Sequence, residues 1–69
     1  MSNNIPLSFV LDRVKSLGYE IPYSSRDTLV ISVPYADFPR FRLFADNFHL
    51  SYIVDDCVYK LYIFLTFNS

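Results

Sequence analysis

The hydrophobic pattern of this chain changes period three times, and that alternation constrains the fold more than any other feature. From about Ile5 to Leu17 the apolar residues follow a helical period. At about 100° per residue, Leu7, Val10, Leu11, Val14 and Leu17 share one third of the circumference, while Ser8, Asp12, Arg13, Lys15 and Ser16 lie elsewhere. Pro6 suits a first turn, Asn4 is a cap candidate, and Gly18, the only glycine, stands where a left-handed residue would close the helix. Tyr19 to Tyr23 is a short extended candidate, and Ser24-Ser25-Arg26-Asp27 reads as a turn. Thr28 to Val33 then alternates, with Leu29, Ile31 and Val33 on one face and Thr28, Val30 and Ser32 on the other. Pro34 lacks the N–H to continue a ladder, so the strand stops there or lies at an edge.

The helical period returns from Asp37 to Phe48, where Phe38, Phe41, Phe44, Ala45 and Phe48 share a face. The residue before a proline is pushed away from helical dihedrals, so this helix is predicted to begin at Pro39 with Asp37 or Phe38 as its cap. The tail reads as two strands, Leu50 to Val54 and Cys57 to Phe67, reversing at Asp55-Asp56. In the last strand Tyr59, Leu61, Ile63, Leu65 and Phe67 form one apolar face, and Val58, Lys60, Tyr62, Phe64 and Thr66 form a second that is also largely apolar.

The order is helix–strand–strand twice over, with no residue-level repeat between the halves. It predicts an α+β fold of αββαββ type, a two-layer sandwich whose four-stranded antiparallel sheet carries both helices on one face. If the final strand lies centrally, the order is that of a ferredoxin-like unit permuted so that its first strand closes the chain. If the two hairpins merely sit side by side, the final strand lies at an edge. At 69 residues there is room for one domain, residues 1–69, and 52 % hydrophobic with 19 % aromatic residues is enough to give it a core.

Chemistry-bearing residues are few. No Cys/His pair shows zinc-type spacing around His49, the only histidine, whose place near a helix C-terminus is explained by electrostatics. Cys57 lies beside Asp55 and Asp56, an acidic setting that raises a thiol pKa rather than activating it. Ser24-Ser25 lacks the flanking glycines of a nucleophile elbow, and a chain with one glycine holds no glycine-rich phosphate loop. No catalytic set, metal site, cofactor or small-molecule substrate is therefore expected. A lone cysteine points to a reducing, cytoplasmic setting. The most apolar run, Cys57 to Phe67, is interrupted by Lys60 and too short for a membrane helix. Arg13–Ile21 followed by Asp27–Pro34 resembles the helix, Leu-Gly-aromatic-Glu and strand-ending-in-Val-Pro pattern of a domain found in the β-subunit of phenylalanyl-tRNA synthetases. The tail from His49 departs from that pattern by reading as a strand pair.

Two helices cover one side of a four-stranded sheet, so the other side meets water or a partner. The residues expected there are Val58, Tyr62, Phe64, Val30 and the stem of Lys60, with Ile5 and Phe9 on the far side of the first helix and Leu43 on the second. Tyr62, Phe64, Val58, Lys60 and Phe9 are the expected partner-binding set. The expectation is a small non-enzymatic protein-binding module, homodimeric, acting as an adaptor or inhibitor of a larger protein assembly such as phages and mobile elements encode. The alternative is an RNA or single-stranded nucleic-acid binder that stacks bases on Tyr62 and Phe64 beside Lys60, against which counts the net charge of −1.

Overall fold

The computed structural model describes residues 3–68 and contains α1 (Leu7–Leu17), β1 (Glu20–Ser24), β2 (Thr28–Pro34), one 3-10 turn (Tyr35–Asp37), α2 (Phe38–Asn47), β3 (Ile53–Asp56) and β4 (Lys60–Thr66). The sheet has the order β1-β2-β4-β3, and every neighbouring pair is antiparallel. The last strand is therefore central, and the arrangement that would leave it at an edge is not adopted. β2 and β4 pair along their whole length, from Thr28 opposite Thr66 to Pro34 opposite Lys60.

This register sets Leu29 opposite Leu65, Ile31 opposite Ile63 and Val33 opposite Leu61, all buried on one face. Both helices pack on that face: Val10 and Val14 of α1 and Phe41, Phe44 and Ala45 of α2 join these strand residues in one core. The predicted helix stripes are thus the packed ones, with Leu7, Leu11, Leu17, Phe38 and Phe48 partly buried at their margins. Ile5, expected to be exposed, also packs against the core.

The halves, unlike in residues, match in register. Both helices end in the same paired bonds: Gly18 N–H to Lys15 O (3.1 Å) and Tyr19 N–H to Val14 O (3.4 Å), then His49 N–H to Asp46 O (3.2 Å) and Leu50 N–H to Ala45 O (2.9 Å). The left-handed residue required at such an end is Gly18 (φ 83°) in one half and His49 (φ 54°) in the other. Both hairpins close through a first N–H donated to the fourth residue's C=O, Ser25 to Thr28 at 2.8 Å and Cys57 to Lys60 at 3.1 Å. Val10 thus corresponds to Phe41, Val14 to Ala45, Leu29 to Leu61 and Val33 to Leu65, while Ile31 pairs directly with its own counterpart Ile63. A pseudo-two-fold axis runs between those two isoleucines.

Three local expectations are corrected. α2 starts at Phe38, helical at φ −57° and ψ −41°, because the 3-10 turn already winds the chain before Pro39. α1 is capped by Pro6 without a side-chain bond, and Asn4 instead meets the side chain of Asn68. The last reversal is not at Asp55-Asp56, which are the end of β3, but at Val58-Tyr59, which leaves Tyr59 exposed rather than in the core.

Asn3 closes the fold from a distance. Its backbone N–H bonds Thr66 O (2.8 Å) and its carbonyl accepts from Asn68 N–H (3.0 Å), a parallel bridge beside Phe67. Its buried side chain donates to Ser51 O (3.0 Å) and Thr66 O (2.9 Å) and accepts from Ser51 N–H (2.7 Å), so every polar atom of it is partnered.

Candidate functional site

The sheet face opposite the helices is built by alternation. Residues paired with those of the core face turn inward, and their sequence neighbours turn out. Ladder partners place Tyr23 opposite Val30, Val30 opposite Phe64 and Phe64 opposite Ile53, a single apolar row crossing all four strands. Val30 lies buried beneath its neighbours, contrary to the expectation that it would be exposed, whereas Tyr23 is 55 % exposed, Phe64 38 % and Ile53 71 %. The next row runs from Glu20 through Ser32 and Tyr62 to Asp55. Lys60 lies beside it with its ammonium 5.7 Å from the centre of the Tyr62 ring, a cation–π distance.

Of the five residues expected to bind a partner, Tyr62, Phe64 and Lys60 are brought together on this face. Val58 is not on it. With Tyr59 it forms the tip of the β3–β4 hairpin, where the two side chains are 82 % and 87 % exposed. The misplacement has a chemical cause, since two aspartates look more like a turn than a valine and a tyrosine do. Phe9 is in the helix layer, edge-on to Phe48 with ring centres 5.2 Å apart, and the Arg13 guanidinium stands 6.0 Å from Phe9 and 5.9 Å from Phe48. Tyr23 and Ile53 belong to the apolar row but lie outside the expected set. Their signal was present as aromatic and β-branched residues in short edge segments, and only the register joins them to Phe64.

The two sheet edges differ. β1 carries Pro22 and a bulge between Glu20 and Tyr23, devices that spoil pairing with another chain. β3 is regular and exposed along its length, guarded only by Asp55 and Asp56. The Tyr35 hydroxyl reaches both the Asp56 carboxylate and the Cys57 carbonyl, tying the 3-10 turn to the second hairpin. The bond to Asp56 is the main reason that the hydroxyl pKa is pushed up to about 12. The Tyr19 hydroxyl is buried without a hydrogen-bond partner among the described residues, and burial, then Asp37, raises its pKa.

Among the described residues no group of three or more His, Cys, Asp or Glu could hold a metal ion, and no helix is long and apolar enough to cross a membrane. Comparison with known proteins finds no matching family model, curated protein or solved structure, so the resemblance over Arg13–Pro34 gains no support from relatives.

Proposed function

We propose that the chain is a small, non-enzymatic, cytoplasmic protein-binding module that pairs with a second copy of itself through the helix-free sheet face and so serves as an adaptor or inhibitor of a larger assembly. The observation that carries this reading is the row Tyr23, Val30, Phe64 and Ile53, which crosses every strand on the side no helix covers. A contiguous apolar patch of this kind is a common mark of an interface. The choice of a second copy rests on charge: one end of the face carries Lys60 beside Glu20 and Asp55, so a copy turned about a two-fold axis can set lysine against carboxylate.

A nucleic-acid reading is favoured by Tyr62 and Phe64 standing two apart beside Lys60, but the same carboxylates would face the phosphates. The discriminating experiment is sedimentation equilibrium of the natural chain and of the double variant Tyr62→Ala, Phe64→Ala, with a single-stranded RNA oligomer added in a parallel series. Self-association in the natural chain, lost in a variant that keeps its helix and strand content, supports the reading. A variant that unfolds would assign both rings to the core, and salt-dependent RNA binding would favour the alternative.

A further inference from the structure

Charge is divided unevenly over the molecule: Arg13, Lys15, Arg40 and Arg42 lie on the two helices, which carry only Asp12 and Asp46 as acids, while the sheet and loops are acidic. The helices enclose a groove of about 330 Å³ lined by Arg13, Ser16 and Leu17 of α1 and by Arg40, Phe44, Asn47 and Phe48 at α2. Among the described residues neither arginine has a carboxylate within ion-pair distance. Arg13 is held in place by its stacking over Phe9 and Phe48, which reduces the side-chain freedom that would be lost on pairing. The two helix C-termini nearby would oppose an anion, but the bonds from Gly18, Tyr19, His49 and Leu50 already occupy carbonyls of both last turns.

We infer that this groove is a second binding site, which takes an acidic segment of a partner protein bearing one aromatic side chain. The two guanidinium groups offer paired donors to carboxylates, and the apolar lining of Leu17, Phe44 and Phe48 accepts the ring. The site lies on the opposite layer from the apolar sheet row, so one surface joins copies and the other takes the partner, which is what an adaptor requires.

The test is a nitrogen-15 NMR titration of the full chain with the blocked peptide Asp-Glu-Phe-Asp-Glu. Amide shifts at Ser16, Leu17, Phe44 and Asn47 are expected, with binding at least tenfold weaker in the double variant R13Q/R40Q and absent for the peptide Asn-Gln-Phe-Asn-Gln. If R13Q/R40Q fails to fold, R40Q alone reads the same question, because Arg40 supports no ring contact. Equal binding of the neutral peptide, unchanged affinity in the variants, or shifts confined to Ile53 and Phe64 would overturn the assignment. Stronger binding of a single-stranded RNA oligomer at the same amides would overturn it in favour of phosphate. The readout is on the helices, so a chain that proves monomeric leaves this inference standing, and failure here leaves the sheet-face reading standing.

Discussion

The two αββ halves serve as controls for one another. They share a helix end, a hairpin closure and a core register, yet the first hairpin turns on Arg26-Asp27 and the second on Val58-Tyr59. Arg26-Asp27 is a polar tip, with Asp27 accepting from Ser25 Oγ at 3.3 Å and Thr28 Oγ1 at 3.1 Å. The position matching Phe64 in the first half is Ser32, which is buried. The geometry therefore does not demand an exposed apolar tip or an exposed ring on β4. What the fold requires is common to both halves, and the apolar excess of the second half is the surface on which the proposed pairing rests.

The largest effect is expected at the pseudo-two-fold axis. Ile31→Ala and Ile63→Ala each remove a fully buried side chain and should cost about 2–5 kcal/mol, which is most of the stability of a domain this small. Urea denaturation should place both variants close together, and a large gap would break the equivalence of the halves. Next comes Asn3→Ala, which leaves the Ser51 N–H and C=O without the side chain that pairs them and should cost about 1–3 kcal/mol by the same measurement.

The helix ends sharpen the comparison at lower cost. Nothing lies within 4 Å of a methyl group built at Gly18, so Gly18→Ala pays only for its left-handed backbone, about 1 kcal/mol. His49→Gly should gain up to a similar amount, visible as a higher Tm. Grafting the first turn onto the second hairpin, Val58→Arg with Tyr59→Asp, should move stability by less than about 0.5 kcal/mol, since both side chains are exposed. A large loss would show that the apolar tip is structural.

The smallest effect is in alkali. Tyr35 holds its proton more tightly when folded, its pKa rising from 10.0 to about 12, so its contribution is fully present below pH 10 and is lost as the pH climbs toward 12. The stability of the natural chain should therefore fall more steeply over that window than that of Tyr35→Phe.

Elements were legible in the sequence where a single periodicity governed them: both helix stripes, the core face of β2 and that of β4 from Leu61 onward follow from residue spacing alone. What escaped depends on contacts remote in sequence. The place of β4 beside β2, the burial of Asn3 against Ser51 and the row joining Tyr23 to Ile53 are all fixed by register rather than by local pattern. At the site, Tyr62, Phe64 and Lys60 were readable because alternation sets them on one face. Arg13 and Arg40 read only as the polar sides of separate helices until packing brought them to one groove.

The proposed pairing of two copies through the helix-free face is open to a single measurement, dilution of the natural chain while its nitrogen-15 NMR spectrum is recorded. Amides of Tyr23, Ile53, Tyr62 and Phe64 are expected to shift with concentration while those of Val10, Val14 and Phe41 stay fixed. A spectrum unchanged over the whole range, from a species that sediments as a single chain, would contradict it.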